Sequence, residues 1–310
     1  MLDRTDAATV PMFQGKRDGT FAGLPWRIDG EVAEHADLSG IACRADGYGL
    51  LATDEGSLVQ PFQLDAGTRT LHMKPPGIGL LRPGEEADLE GLCCAGERFY
   101  AVGSHASGRK VPDHQPSRHH LYCLWHEAGT LRFDISHALE PLLENDALLR
   151  RHYRRRLNGA ERGLDIEGIA AVPGDRLLLG LRSPTLDGQA FLLSVGVEVV
   201  FGLKGSRQQT AERYALPIGA GAGIRDLAAI PEGVLILAGP STDDDEAPFT
   251  LWYWSGRRKL RQLGTFVQAD GAKAEGLLVL DAANEHLDIL VVFDGVARGG
   301  IHEFRIPRPG

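Results

Sequence analysis

The sequence predicts an all-β protein, a β-propeller, and two observations carry that prediction. First, one unit recurs five times, beginning near residues 37, 88, 165, 224 and 273: a polar start, an apolar strand, a turn and a second apolar strand. Second, residues 57–64 and 68–73 alternate apolar and polar side chains, as outer strands do. Short strands repeating every 50 to 80 residues or so are typical of propeller blades. We expect five blades, with six as the alternative.

The whole chain, residues 1–310, is expected to form one propeller domain, because 310 residues with 43% hydrophobic content can bury a single large core. Residues 1–36 are too short for a blade. We expect this segment to pair beside the last strand, residues 301–306, and so to help close the ring.

Blade two carries the one predicted helical insertion, residues 136–157. Ser136 is a plausible N-cap, and leucines follow at helical spacing. Pro141 bends this helix unless it lies in the first turn. The arginine-rich run at 150–156 would end the helix, where cations are favourable.

Charge and composition limit the partners. A net charge of −9 argues against a general nucleic-acid binder, which needs a broad basic surface. Residues 1–15 lack a secretion signal, and no apolar run approaches the roughly 20 residues of a membrane span. The four cysteines lack metal-site spacing, which favours buried reduced thiols. We expect a cytoplasmic protein without membrane contact, and the sequence identifies no protein partner.

The third residue of each repeat is an oxygen ligand. Because each blade buries its inner strand at the central channel, these five side chains are expected to surround one axis: Ser39, Glu90, Glu167, Asp226 and Glu275. Clustered carboxylates raise one another's pKa unless a cation compensates them. All-oxygen ligation favours Ca²⁺, and Mg²⁺ less, because calcium accepts six to eight ligands in a flexible shell. The alternative is that these acids bind backbone donors and hold no metal.

The loops around this ring supply further candidates. We expect four cations to bind an anionic group: Arg182, Arg225, Lys273 and Arg109. Equally, these cations could serve only as ion-pair partners of the acids. The candidates for a general base are His105, Asp54 and Glu55.

Several motifs carry a resemblance, including Asp88-Leu89-Glu90-Gly91, Gly103-Ser104-His105-Ala106 and Gly223-Ile224-Arg225-Asp226-Leu227. From about Asp37 onward the chain resembles a family of uncharacterised bacterial proteins, a domain of unknown function near the esterase-like, phytase-like propellers. The resemblance implies a propeller and no established activity. More distantly, the acidic ring is similar to that of the calcium-activated nucleotidases (apyrases), five-bladed propellers with one Ser or Glu per blade around calcium. Asp226 stands where that pattern has Ser.

Three functions follow as hypotheses. The first is a calcium-dependent phosphoester hydrolase acting on a small anionic substrate at the channel mouth. The second is a non-enzymatic propeller with a structural calcium, which binds a ligand or a protein. The third is a lactonase or carboxyl-ester hydrolase. The sequence does not decide whether the protein is an enzyme.

Overall fold

The computed structural model describes residues 23–32, 37–54, 56–108, 115–158, 162–202, 211–256, 259–266, 272–282, 285–296 and 300–309. Within these ranges the chain forms short strands and two short helices. The strands are β1 (Leu24–Pro25), β2 (Arg27–Asp29), β3 (Leu38–Cys43), β4 (Tyr48–Thr53), β5 (Leu58–Asp65), β6 (Thr70–Met73), β7 (Ile78–Gly79), β8 (Leu89–Ala95), β9 (Arg98–Gly103), β10 (Leu121–Glu127), β11 (Thr130–Ser136), β12 (Asp165–Val172), β13 (Arg176–Leu186), β14 (Gln189–Gly196), β15 (Glu212–Leu216), β16 (Ala222–Ile230), β17 (Gly233–Pro240), β18 (Thr250–Trp254), β19 (Leu260–Thr265), β20 (Lys273–Asp281), β21 (His286–Asp294) and β22 (Gly300–Pro307).

These strands build five sheets, the blades of a β-propeller, each with four main strands that pair antiparallel. Blade one contains β3 to β6, blade two β8 to β11, blade three β12 to β15, and blade four β16 to β19. Blade five contains β20 to β22 and takes its fourth strand, β1, from the beginning of the described chain. The predicted all-β class and five blades are therefore confirmed.

The blades close into a ring, and the hydrophobic core lies between them. The innermost strands contact one another in the order β3, β8, β12, β16 and β20, and β20 contacts β3 again. Each of the five interfaces buries its own apolar cluster. Between blades five and one, for example, Leu290 and Val292 pack with Leu38, Ile41 and Phe62. Alternating side chains of each sheet thus stabilise two interfaces, one on each face.

One short segment spans the seam between blades five and one. Strand β1 pairs antiparallel with β22, while β2 pairs in parallel with β6 of blade one. Between them, Trp26 is buried, and its Nε1 donates to Glu303 Oε2 at 2.9 Å. Residues 24–29 therefore tie the last blade to the first.

The helical insertion is much shorter than the sequence predicts. Helix α1 (Leu139–Asn145) is followed only by a 3₁₀ turn, Leu149–Arg151. Pro141 is the third residue of α1, where its missing N–H costs nothing. Asp146 ends the helix, and its Oδ1 accepts the amide hydrogens of Leu148 and Leu149 at 2.8 and 2.9 Å.

Ser136 is not the N-cap. It is the last residue of β11, and its hydroxyl donates to the carbonyl of Val200 in helix α2 (Val197–Phe201). The sequence did not predict α2. The leucines of the insertion are nevertheless buried, because α1 and the 3₁₀ turn cover the apolar cluster between blades two and three. Among the described residues, neither helix is long and apolar enough to cross a membrane.

Candidate functional site

Every blade has a β-bulge at the same point of its innermost strand. The pairing of the first two strands skips one residue there, and the skipped residues are Ser39, Glu90, Glu167, Arg225 and Glu275. A bulge leaves one residue out of the ladder and redirects its side chain. Four of these five are the side chains that the sequence assigned to the ring.

Blade four differs by one residue from the predicted alignment. Arg225, not Asp226, is its bulged residue. Asp226 stands in the position that glycine occupies in the other four blades, such as Gly91 and Gly168. That position allows little space, since a Cβ at Gly91 would lie 2.5 Å from the carbonyl oxygen of Glu167. The ring therefore contains one hydroxyl, three carboxylates and one guanidinium.

The guanidinium of Arg225 binds two of the ring carboxylates. Its Nε lies 2.9 Å from Glu167 Oε2 and 2.9 Å from Glu275 Oε2, and its Nη2 donates to Glu275 Oε1. All three side chains are buried. Burial raises the pKa of Glu167, while the guanidiniums of Arg225 and Arg182 oppose the rise. Arg225 thus supplies positive charge between blades three, four and five.

Ser39 and Asp226 are bound to backbone groups of the neighbouring blades. The Ser39 hydroxyl donates to the carbonyl of Leu89 at 2.5 Å. The two Asp226 oxygens accept the amide hydrogens of Leu227 at 2.7 Å and Leu277 at 2.6 Å. Burial raises the pKa of Asp226, and these amide donors oppose the rise. Both side chains connect adjacent blades, as the alternative to metal binding expects of them.

Among the ring carboxylates, Glu90 lines a polar cavity of about 300 Å³, together with Asp165 and Arg182. Glu90, Asp165 and Glu167 each place one carboxylate oxygen within 4.8 Å of the other two, and among the described residues no other such group occurs. Asp54, Glu86 and Asp88 belong to the same acidic neighbourhood.

Glu90 is the least compensated member. No hydrogen bond or ion pair connects its carboxylate to the described residues. Burial raises its pKa well above the usual range, and the nearby charges of Glu167, Asp88 and Asp165 raise it further. A carboxylate in such surroundings either keeps a proton or binds a cation.

These three carboxylates fit a hard cation. The donor atoms are all oxygens, which calcium and magnesium prefer. Three oxygens within 4.8 Å of one another are close enough to contact one such cation together. The spacing of Glu90, Asp165 and Glu167 is therefore compatible with calcium.

The backbone is strained beside the cavity. Asp88 has φ of 49° and His105 has φ of 54°, a region that residues other than glycine seldom adopt. Ser104 lies between them in space: its amide donates to the Asp88 carbonyl at 2.9 Å, and its hydroxyl donates to Asp88 Oδ2. Strain of this kind persists where the surroundings enforce it, often at functional sites.

Of the predicted anion-binding residues, Arg182 and Arg225 meet at the carboxylate of Glu167, whereas Lys273 contacts another acid. Arg182 is a second bulge, on β13, and its Nη1 lies 2.9 Å from Glu167 Oε1 and 3.6 Å from Asp165 Oδ2. Lys273 is half exposed, and its Nζ lies 3.7 Å from Asp294 Oδ2. Arg109 lies outside the described residues. Together with Arg225, the described cations are partners of acids, which is the alternative that the sequence left open.

Of the predicted general bases, one lines the acidic cavity and another is buried away from it. Asp54 lines the acidic cavity. His105 is fully buried behind it, where its Nδ1 donates to the Gly103 carbonyl at 2.9 Å and its ring stacks 5.3 Å from that of His119. Burial lowers the pKa of His105 to about 4. Glu55 lies outside the described residues.

The sequence analysis missed five polar or charged residues of the cavity: Glu86, Asp88, Asp165, Ser107 and Arg118. A signal for two of them was present. Asp88 and Asp165 stand two residues before Glu90 and Glu167, and residues at this spacing share one face of a strand. Ser107 and Arg118 flank the long polar loop of blade two and have no motif of their own.

Comparison with solved structures shows similarity to other proteins at low identity. A protein from Lactobacillus plantarum is 15% identical over 90% of this chain and 73% of its own, with a TM-score of 0.42. Glutaminyl cyclase from Myxococcus xanthus is 12% identical over 92% and 100%, with a TM-score of 0.48. A putative 6-phosphogluconolactonase from Bacteroides fragilis is 11% identical over 90% and 86%, with a TM-score of 0.43. At these values none of them supports an activity for this chain.

No curated protein matches the sequence. A family model does match, over residues 37–126 and 124–303, and its description is "Protein of unknown function (DUF3616)". These matches begin at the first blade and extend into the last strand of the fifth. This five-bladed propeller therefore belongs to the DUF3616 family.

Proposed function

We propose that this protein binds a divalent cation, with Ca²⁺ preferred over Mg²⁺, in its acidic cavity and hydrolyses an ester of a small polar molecule there. The observation that carries the proposal is Glu90, whose carboxylate has no hydrogen-bond or ion-pair partner among the described residues and lies beside Asp165 and Glu167. Burying such a carboxylate beside other carboxylates without a compensating charge is unfavourable, and a bound hard cation would supply that charge.

The surrounding residues are arranged to hold these ligands in place. Arg182 donates to Glu167 Oε1 and lies close to Asp165, and Arg225 Nε is an ion-pair partner 2.9 Å from Glu167 Oε2. Partners of this kind orient ligands and commonly matter for affinity. A calcium ion bound here would supply Lewis-acid polarisation of an ester oxygen.

Asp88 is the best candidate for a general base. It lies at the cavity, and burial raises its pKa to about 6. Its carboxylate oxygens can accept a proton from a water molecule in the cavity, which is the role of a general base. The hydroxyl of Ser104 binds one oxygen of Asp88, which orients the other. Asp54 is a second candidate, as a residue of the same cavity.

A phosphoester substrate is one version of this proposal. In that version the cation itself would have to attract the phosphoryl group, because Arg182 and Arg225 already bind carboxylates. A carboxyl ester or a lactone carries no phosphoryl charge and therefore needs no free arginine for binding. The competing function is a non-enzymatic propeller that binds its ligand beside a structural ion, and the same unpartnered Glu90 supports it.

The first experiment measures cation binding by calorimetric titration and by thermal melts in Ca²⁺, Mg²⁺ and EDTA. We expect calcium to stabilise the protein by about 2.7 kcal/mol at a concentration 100 times its dissociation constant. Glu90→Gln should abolish this gain, because an amide is a much poorer ligand. Glu127→Gln, an exposed glutamate at the end of β10, is the matched control. Equal calcium affinity in E90Q and wild type would refute the site.

Activity separates the two functions. Turnover of p-nitrophenyl phosphate, p-nitrophenyl acetate or glucono-1,5-lactone that requires calcium and is lost in Asp88→Asn supports the hydrolase. Stabilisation by calcium with no turnover of any of these substrates supports the binding propeller.

A further inference from the structure

The acidic cavity presents mostly hydrogen-bond acceptors to a ligand. Its lining contains five carboxyl groups, from Asp54, Glu86, Asp88, Glu90 and Asp165. An ionised carboxylate accepts hydrogen bonds and donates none. A complementary ligand must therefore carry several donors.

The two guanidiniums of the lining are already bound to protein acids. Arg118 Nη2 donates to Glu86 at 2.9 Å, and its Nε lies 3.6 Å from Asp88. Arg182 donates to Glu167 at 2.9 Å and to Asp243 at 3.4 Å. An anionic ligand would have to compete with these carboxylates for both arginines.

Ser107 provides the second observation. It lines the cavity, it is 3% exposed, and its hydroxyl has no hydrogen-bond partner among the described residues. Its backbone is held by a parallel bridge to Arg156, at the edge of the same cavity. A buried hydroxyl without a partner is unfavourable. A ligand with a polar group at this point removes that cost.

Size and shape limit the ligand further. The volume of about 300 Å³ is at the lower end of small-molecule pockets. Among the described lining residues no side chain is aromatic; Leu157 and Ala106 are the apolar ones. Nucleobases are commonly bound by stacking on aromatic rings, and quaternary ammonium groups by aromatic cages, so neither class fits well.

We infer that the cavity binds a neutral, polyhydroxylated molecule about the size of a monosaccharide, whose hydroxyl groups donate to the carboxylates and contact Ser107. This inference rests on the proposed function, because a calcium ion at Glu90 would offset much of the negative charge that otherwise favours a cationic amine. It narrows the substrate to an ester, or ring ester, of a sugar or polyol, in place of the anionic molecule that the sequence predicted.

Ligand binding tests the inference on the intact protein with saturating calcium. Saturation-transfer NMR and thermal melts would compare a set of neutral monosaccharides and polyols, including D-glucose, D-ribose and myo-inositol, with inorganic phosphate and spermidine. We expect at least one neutral compound to bind and the phosphate and spermidine not to. Binding of phosphate or spermidine with no neutral compound, or binding of nothing in the set, overturns the inference.

A matched pair of variants locates the contact. Ser107→Ala removes the hydroxyl in the cavity, whereas Ser183→Ala removes another buried, unpartnered hydroxyl that does not line it. Within the described part of the chain neither substitution breaks a hydrogen bond, so both variants should fold. We expect S107A to weaken the neutral ligand by about three- to tenfold and S183A to leave it unchanged. Equal affinities in both variants would exclude Ser107 as a contact.

Calcium titration keeps this test separate from the proposed function. S107A should bind calcium as wild type does, because Ser107 is not one of the proposed ligands. Loss of the sugar with calcium retained concerns the substrate alone. Failure of calcium to bind wild-type protein refutes the proposed function, whatever the sugars do.

Discussion

Replacing Arg225 should destabilise the propeller more than any surface substitution. In Arg225→Gln the buried carboxylates of Glu167 and Glu275 lose a guanidinium that lies 2.9 Å from each. Arg182 still compensates Glu167, so the main loss falls on Glu275. Breaking a buried ion pair from one side costs about 3 to 5 kcal/mol, because the other charge is left buried without its partner.

For a chain of 310 residues, a loss of about 4 kcal/mol corresponds to a fall of roughly 6 °C in the melting temperature. Urea unfolding and calorimetry at neutral pH would measure both quantities. Arg305→Gln is the control, since Arg305 forms a similar bidentate pair with Asp288 on the surface and should change little. A melting temperature for R225Q within about 1 °C of wild type would refute the view that Arg225 is the ring's stabilising cation.

Two further substitutions test the same region. Burial holds the pKa of His105 at about 4, below the value of about 6.5 in an unfolded chain. Between these two pH values the unfolded state binds more protons than the folded state. Acidification from pH 7 to pH 4 should therefore lower the free energy of unfolding by about 3 kcal/mol. His105→Asn, which tolerates the positive φ, should therefore lose less stability between pH 7 and pH 4 in urea unfolding than wild type; equal losses would contradict this origin. Asp226→Ala should cost about 2 to 5 kcal/mol, because the buried amides of Leu227 and Leu277 lose their acceptor. Hydrogen exchange at Leu277 should accelerate in that variant, and unchanged protection there would show that the bond contributes nothing.

The repeat pattern was sufficient to predict the blades, because every blade must place an apolar strand at the channel and a turn after it. It did not identify the ring residue of blade four. In Ile224-Arg225-Asp226-Leu227 the acid stands one position after the one that the other blades fill with Ser or Glu. Aligning the acids placed Asp226 in the ring, whereas aligning the apolar residues on either side, Ile224 and Leu227, with Leu89 and Leu92 of blade two would have placed Arg225 there. Asp226 itself stands in the position that the other four blades fill with glycine, so the apolar residues mark the register of this strand more reliably than the acid does.

The prediction of one long helix over residues 136–157 was wrong for a different reason. Leucines at helical spacing in residues 136–157 bury equally well from a short helix followed by turns, and Asp146 offers the backbone another set of hydrogen bonds. The burial of His105 could not be predicted from the sequence either. Its burial depends on packing against His119 and on the backbone of a loop with no regular pattern.

The segment at the seam determines when the ring can close. Strand β1 is near the beginning of the chain, whereas its partner β22 is formed by residues 300–307, so Trp26 and Glu303 meet across 277 positions of sequence. Each blade can form its hairpins from local contacts as it is synthesised, but the seam needs both ends at once. Contacts between such distant positions form slowly because the chain loses much entropy in bringing them together. The final closure of the propeller is therefore expected to follow translation of the last blade. Until the ring closes, β1 and the edge of β22 lack their partner strands.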